Sequence, residues 1–139
     1  MSTFIVNLAE KFILFEFSER GRAQFLSDHT PAKMRERING NFRYHLAEAD
    51  HELVGLAGIR DNAHLFHLFV AESLQCQGLG RRLWEYAVAE CRKESNSGIF
   101  TVNSSKNAVA AYERLGFSVT GPMQNMNDVL FVPMQLAFL

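Results

Sequence analysis

The sequence has few of the features that mark disulfide-rich, membrane or nucleic-acid-binding proteins. It contains only two cysteines, Cys76 and Cys91, in 139 residues, which argues against a disulfide scaffold and for a reducing compartment. The formal net charge is -1, so no overall positive field would attract nucleic acid or an anionic membrane. No stretch of about 20 predominantly apolar residues is present. We therefore expect a cytoplasmic protein with no nucleic-acid or membrane partner, and no metal site, because the His and Cys residues lack ligand spacing.

Proline is also rare, and this bears on domain organisation. The three prolines are scattered, and no proline-rich linker, repeat or low-complexity tract interrupts the chain. A chain of 139 residues with 47% hydrophobic content has enough apolar material for one core. We therefore expect a single domain spanning residues 1–139.

Hydrophobic periodicity predicts helices first, then an antiparallel hairpin, then alternating strands and helices. The predicted helices span Thr3 to Phe17, Pro31 to Ile38, the segment after Gly80 to Glu94, and Asn107 to Leu115. The predicted strands span Phe42 to Ala49, Leu53 to Ile59, His64 to Val70, Ile99 to Val102, Phe117 to Val119 and Val129 to Leu136. Gly116 is expected to end the last helix in the left-handed conformation. This order predicts an α/β sandwich with a mixed sheet.

The strongest functional signal is a glycine-containing loop between the best predicted strand and the clearest predicted helix. It reads Gln75-Cys76-Gln77-Gly78-Leu79-Gly80-Arg81. Glycines let the backbone approach a ligand closely, and the free N–H groups and positive dipole end of the helix form an anion site. A phosphate or pyrophosphate is the expected ligand, and an ordinary tight turn is the alternative. The dinucleotide fingerprint and the P-loop do not fit, because Leu83 replaces the third glycine and Arg81-Arg82 follows Gly80.

Two motifs occur in order along the second half of the chain. The first is Leu68-Phe69-Val70 followed by Gln75-x-x-Gly78-x-Gly80, and the second is Asn107 followed by Tyr112-Glu113-Arg114-Leu115-Gly116-Phe117. Their order and separation resemble the GNAT superfamily of acetyl-CoA-dependent N-acetyltransferases. The resemblance implies an α/β fold with a mixed, mostly antiparallel sheet and helices on both faces. It also implies transfer of an acetyl group from acetyl-CoA to a primary amine by direct attack in a ternary complex.

The resemblance assigns cofactor-binding roles residue by residue. The loop backbone would cradle the CoA pyrophosphate through Gln75, Cys76, Gln77, Gly78, Leu79, Gly80 and Arg81. The main chain of Leu68, Phe69 and Val70 would pair with the pantetheine arm like an added strand. Asn107 would contact the cofactor near its thioester, and Tyr112 would face the sulfur.

The chain departs from the family pattern at two places. Many relatives carry a basic residue just before the first motif glycine, where this chain has neutral Gln77, so Arg81 and Arg82 are expected to compensate. The family's usual first strand is also missing from the predicted elements. Either the sheet is shorter or its edge is completed by a partner chain. We expect self-association as a homodimer, and the alternative is that the apolar N-terminal helix covers the open edge.

Acyl transfer needs a base for the amine and a proton for the departing thiolate. His64 is the candidate base, because an imidazole of ordinary pKa is largely neutral at pH 7. His67 would face the other side of a regular strand, but a bulge could exchange the two, and ordered water could take the proton instead. Tyr112 is the candidate donor to the thiolate, because a phenol stays protonated at neutral pH.

The sequence leaves the acceptor open. Its site should come from residues 1–50 and from the loops near Asp61 and Met123 to Asp128, where no motif is recognisable. A small amine, an amino acid, a polyamine, an aminoglycoside or a protein amine all fit at this point. The alternative from another class is a noncatalytic acyl-CoA-binding module that regulates a partner.

Overall fold

The computed structural model describes residues 1–12, 14, 17–126 and 128–138. The helices are α1 (Ser2–Phe12), α2 (Glu19–Asp28), α3 (Pro31–Asn39), α4 (Leu79–Lys93) and α5 (Val109–Leu115). The strands are β1 (Phe42–Ala49), β2 (Glu52–Arg60), β3 (His64–Val70), β4 (Ile99–Ser104), β5 (Ser118–Val119), β6 (Gln124–Met126) and β7 (Val129–Ala137). Short 3₁₀ helices at Glu72–Leu74 and Lys106–Ala108 precede α4 and α5.

The sheet is mixed and mostly antiparallel, as predicted. Its strand order is β1-β2-β3-β4-β7-β5, and β6 pairs with β7 outside this path. Only the pair β3 and β4 is parallel among the paired strands that the structure describes. Among the described residues no strand precedes β1, which therefore forms one edge of the sheet. Self-association at this edge stays a prediction.

Helices cover both faces of the sheet and build two hydrophobic clusters. On one face, α4 packs Leu83, Trp84, Ala87 and Cys91 against strand residues such as Phe100. On the other face, residues of α1 and α3 meet β2 in a cluster of Ile5, Met34 and Leu56. Alternate residues of β2 serve the two faces, since Leu56 belongs to one cluster and Ala57 to the other. The α/β fold class is confirmed.

Capping residues explain where α3 and α5 begin or end. The Thr30 side chain accepts a hydrogen bond from the Lys33 N–H, and Pro31 occupies the first turn, where its missing N–H costs nothing. Gly116 ends α5 with φ of 108°, in the left-handed conformation that its sequence position predicts.

The first predicted helix is shorter in the structure than in the prediction. Helix α1 ends at Phe12, and Phe17, the predicted end, is a bend. Residues 13, 15 and 16, on which part of this prediction falls, lie outside the described residues. No described helix has the length and apolar character needed to cross a membrane.

Helix α2 and strand β6 were not predicted from the sequence. The α2 segment carries few apolar residues, and Gly21 interrupts it, so no amphipathic period is visible. Ser18 caps the helix by accepting a hydrogen bond from the Gly21 N–H. A Cβ at Gly21 would come within 2.3 Å of the Asp128 carbonyl oxygen, so glycine permits the close approach of α2 to the turn before β7.

Candidate active site

Strands β3 and β4 separate at the centre of the sheet. They pair at only two positions, His64 with Thr101 and Leu65 with Val102. Strand β3 continues to Val70 and β4 to Ser104 without further pairing between them. The β3 backbone beyond Leu65 therefore presents hydrogen-bonding groups toward the gap, where an extended ligand could add like a strand.

The predicted anion loop lies between the end of β3 and the start of α4. Cys76 and Gly78 both have positive φ, 62° and 84°, so the chain turns sharply and Gly78 caps a helix of 15 residues. The Gln75 side chain donates to the Val70 carbonyl at 3.0 Å, and the Gln77 side chain donates to the Ser73 carbonyl at 3.1 Å. The first bond holds the loop against β3, and the second holds it against the short 3₁₀ helix that precedes it. The first N–H groups of α4 remain at the open end of the loop.

Arg81 lies on the first turn of α4 and connects it to α5. Its guanidinium donates to the Arg114 carbonyl oxygen at 2.6 Å, close to the C-terminal end of α5. Arg82 is exposed beside it. Because a guanidinium has five N–H donors, Arg81 retains donors for an anion at the loop. This placement is compatible with the predicted compensation for Gln77.

A cavity of about 320 Å³ lies at the gap between β3 and β4. Of the residues predicted for the site, His64, Leu68, Phe69 and Tyr112 line it. The loop residues Gln75 to Arg81 lie outside its lining, as do Val70 and Asn107, although Ala108 next to Asn107 lines it. The structure therefore brings the two catalytic candidates together in one cavity, next to the strand predicted to hold the pantetheine arm.

A β-bulge at Phe66 turns both β3 histidines toward this cavity. Gly58 of β2 pairs with His67 and the next residue, Ile59, pairs with Leu65, so Phe66 is the extra residue. In a regular strand His64 and His67 would point to opposite faces. With the bulge, both line the cavity, and Leu65 and Leu68 both join the cluster below α4. The sequence left open a bulge that would change the face of His67, and the structure has one at Phe66, which places both histidines on the same side.

His64 is buried between strand β4 and the cavity. Its Nδ1 lies 2.7 Å from the Thr101 hydroxyl, so Nε2 is the ring nitrogen left for chemistry in the cavity. Burial lowers the pKa of His64 from its ordinary 6.5 to about 4, and the nearby Arg60 charge acts in the same direction. The ring is therefore neutral at pH 7.

His67 belongs to a chain of hydrogen bonds that ties three elements together. The Tyr44 hydroxyl lies 3.0 Å from His67 Nδ1, and His67 Nε2 lies 2.8 Å from His29 Nε2. His29 Nδ1 lies 2.7 Å from the Phe25 carbonyl oxygen. This oxygen can only accept, so for neutral rings the pattern assigns one direction throughout: His29 Nδ1 donates to it, His67 Nε2 donates to His29, and Tyr44 donates to His67.

Both rings of this chain are held neutral. Burial, together with the charge of Arg37, keeps the pKa of His67 well below 6.5. Burial also lowers the pKa of His29, against the opposing hydrogen bond to Phe25. The sequence prediction missed His29 and Tyr44. Phe25 and His29 are four residues apart, a spacing that places two side chains on one face of a helix. The sequence would have shown this only if α2 had been recognised.

Tyr112 lies on α5, where the predicted second motif places it. Its ring meets Phe117 edge to face, with centroids 5.8 Å apart, and it packs against the core cluster below α4. Burial raises the pKa of Tyr112 to about 12. The phenol is therefore protonated at neutral pH and can donate a proton or hydrogen bond into the cavity.

Comparisons with known proteins agree with this architecture. A GCN5-related N-acetyltransferase from Rhodopseudomonas palustris superposes with a TM-score of 0.83 at 18% identity, covering 99% of this chain and 87% of that one. PaiA N-acetyltransferase from Thermoplasma acidophilum, in complex with coenzyme A, gives 0.73 at 16% identity, covering 99% and 92%. An aminoglycoside 6'-N-acetyltransferase complexed with coenzyme A gives 0.66 at 16% identity, covering 98% and 89%. Such identities show the fold alone.

The family comparison covers most of the chain. No curated protein matches this sequence significantly. The family model described as "Acetyltransferase (GNAT) domain" matches residues 13–138, a range that contains both sequence motifs, the gap between β3 and β4, and the cavity. The chain belongs to the GNAT acetyltransferase family.

Proposed function

We propose that this protein transfers the acetyl group of acetyl-CoA to a primary amine by direct attack in a ternary complex. The observation that carries the proposal is the separation of β3 and β4 beyond Leu65, with the α4 anion loop at one end and the cavity containing His64 and Tyr112 beside it. One extended cofactor could reach both. Its phosphates would lie at the loop and its thioester at the cavity.

The predicted cofactor contacts are compatible with this placement. The pyrophosphate would receive the first N–H groups of α4, whose dipole favours negative charge. The pantetheine arm would hydrogen-bond to the backbone of Leu68 to Val70, which β4 leaves unpaired. Asn107, in the 3₁₀ helix before α5, would lie near the thioester.

The reaction requires two proton transfers from nitrogen and one to sulfur. The bound ammonium first gives a proton to solvent, and the neutral nitrogen attacks the thioester carbon. The N–C bond forms and the C–S bond breaks as the second amine proton leaves and the thiolate takes a proton from Tyr112, whose phenolate then regains a proton from solvent. The products are the amide and free CoA thiol, with one proton released in net terms.

The geometry favours His64 over His67 as acceptor of the second proton. Both nitrogens of His67 are engaged, one with the Tyr44 hydroxyl and one with His29. His64 contacts the Thr101 hydroxyl through Nδ1, so Nε2 serves the cavity. A pKa of about 4 makes His64 a transient acceptor that passes the proton to water.

Substitution of Tyr112 by phenylalanine tests the mechanism. It should lower kcat by about 10²- to 10⁴-fold, the range for a positioned acid, with acetyl-CoA affinity little changed because the ring remains. Tyr86→Phe is the matched control, since Tyr86 on α4 is 58% exposed and lies outside the cavity lining.

The assay follows free thiol release from acetyl-CoA over a panel of amines, with cofactor affinity measured separately by calorimetry. The proposal is supported if the unmodified protein and Tyr86→Phe turn over an amine and Tyr112→Phe loses this activity. Cofactor binding without turnover of any amine would instead identify a noncatalytic acyl-CoA-binding module.

A further inference from the structure

The wall of the cavity is dominated by aromatic side chains. Five phenylalanines line it: Phe17, Phe25, Phe66, Phe69 and Phe131. Phe25 stacks on His29 with ring centroids 4.0 Å apart, and Phe17 meets Phe25 edge to face at 6.3 Å. Contacts of this kind fix ring positions, so the wall is a preformed apolar surface rather than a collection of loose side chains. This surface suits an apolar ligand body, and the faces of its rings can receive a cation.

The charge on the cavity lining is small and negative. Among the described residues that line it, Asp28 is the only carboxylate, and none is lysine or arginine. The three lining histidines have lowered pKa values and are neutral at pH 7. The Gln24 amide donates to the two Asp28 oxygens at 3.1 and 3.0 Å. This contact orients a half-buried carboxylate at the C-terminal end of α2, where the helix dipole adds negative potential.

Asp28 lies beside the pair of histidines, His29 and His67, that belongs to the cavity lining. Asp28 directly precedes His29, whose ring touches His67 at the β3 bulge. On its other side, Asp28 borders a second cavity lined also by Lys33, Glu36 and Arg37. Lys33 and Arg37 lie outside the lining of the aromatic cavity, and the Arg37 guanidinium packs on the ring of the wall residue Phe66, 5.1 Å from its centroid.

We propose that the acceptor is a small monoamine with an apolar body, whose ammonium group is received by Asp28 and whose body packs against the phenylalanine wall. This inference rests on the proposed acetyl transfer. Among the described residues of the lining, a carboxylate on the acceptor would meet no cationic partner, and a second ammonium would meet no second carboxylate. Burying either charge unpaired is costly. The cavity volume of about 320 Å³ also lies at the low end of the range of about 300 to 1,000 Å³ typical of ligand sites.

Two matched pairs of amines test whether a second charged group on the acceptor lowers activity with the unmodified protein and acetyl-CoA. 2-Phenylethylamine and phenylalanine differ by one carboxylate, and hexylamine and 1,6-diaminohexane differ by one amino group. We expect kcat/KM to be at least about tenfold higher for the first member of each pair, which corresponds to about 1.4 kcal/mol. Equal or reversed preference in either pair would overturn the proposal.

Substitution of Asp28 by asparagine tests the anchor. The isosteric amide removes the charge and retains an oxygen for Gln24, so we expect KM for 2-phenylethylamine to rise about tenfold with a smaller change in kcat. Glu36→Gln is the control, because Glu36 borders only the second cavity and pairs with Lys33 at the surface. An unchanged KM in Asp28→Asn, or an equal rise in both variants, contradicts the assignment.

Calorimetric titration of the CoA complex with 2-phenylethylamine separates this inference from the proposed function. Binding that Asp28→Asn weakens, without turnover of any amine, would refute acetyl transfer while retaining the ligand class. Turnover of diamines or amino acids in preference to monoamines would retain acetyl transfer and refute the ligand class. Absence of both binding and turnover with the monoamines would overturn the inference as well.

Discussion

Replacing Gly80 by alanine should raise stability and lower cofactor affinity at the same time. Gly80 is the second residue of α4, and a Cβ built on it meets only the Val70 side chain, at an ordinary 3.7 Å. Alanine is favoured over glycine in a helix by up to about 1 kcal/mol. We expect a gain of about 0.5 to 1 kcal/mol near the helix start, which corresponds to roughly 2 to 3 °C in Tm for a chain of this size.

The affinity should change in the opposite direction because of where the methyl group lies. It projects into the space between the start of α4 and Val70 at the end of β3, through which the proposed cofactor passes from its pyrophosphate to its pantetheine arm. A methyl group there would push the phosphates away from the backbone N–H groups. We expect the Kd for acetyl-CoA to rise about tenfold or more, equivalent to about 1.4 kcal/mol.

Thermal unfolding and calorimetric titration measure the two effects independently. Ala89→Gly is the control on the same helix, at an exposed position far from the loop. It should lower stability by about 1 kcal/mol and leave acetyl-CoA affinity unchanged. If Gly80→Ala binds acetyl-CoA as tightly as the unmodified protein, the cofactor does not follow this path and the assignment of the loop is wrong.

Two further predictions concern pH and charge. Stability should fall as the pH drops from 6.5 toward 4. In this range His64 takes up a proton in the unfolded chain, where its pKa is the ordinary 6.5, but stays neutral in the folded protein, where burial lowers its pKa to about 4. His64 alone accounts for up to about 2 kcal/mol between pH 7.5 and 5. Urea unfolding at the two pH values measures this loss, and a His64→Asn variant with an undiminished loss would contradict the reasoning. Gln77→Lys should tighten acetyl-CoA binding up to about fivefold at low salt, with the gain shrinking as ionic strength rises. Gln77→Glu should do the reverse, and no salt dependence in either variant would place the phosphates elsewhere.

Local signals account for what the sequence predicted well. The Thr30-Pro31 start of α3 and the Gly116 end of α5 depend on capping chemistry that adjacent residues determine. The central strand was recognisable because a run of aromatic and aliphatic residues suits a strand covered on both faces. These elements are those in which short-range preference and tertiary packing agree.

The features that were missed depend on contacts between distant segments. Helix α2 has little apolar character of its own and is held by close packing of Gly21 on the turn at Asp128. The bond between His29 and His67 joins residues 38 apart in the chain, and no local pattern encodes it. The combination of residues that lines the cavity was therefore beyond sequence reasoning, and the prediction that the acceptor site lies in residues 1–50 and the loop before β7 stays a prediction.

The extra residue in β3 determines which residues of this strand share a face of the sheet. The two halves of the strand are out of phase, so residues an odd number of positions apart, such as His64 and His67, share one face across the bulge at Phe66. A residue inserted into β2 opposite Phe66 would pair with it, restore strict alternation in β3 and turn His67 to the face of Leu65. His67 would then enter the core below α4, to which Leu65 and Leu68 belong. Deleting Phe66 would instead leave His64 and His67 two positions apart on one face, so the register between β2 and β3, rather than the length of β3, holds both histidines at the cavity.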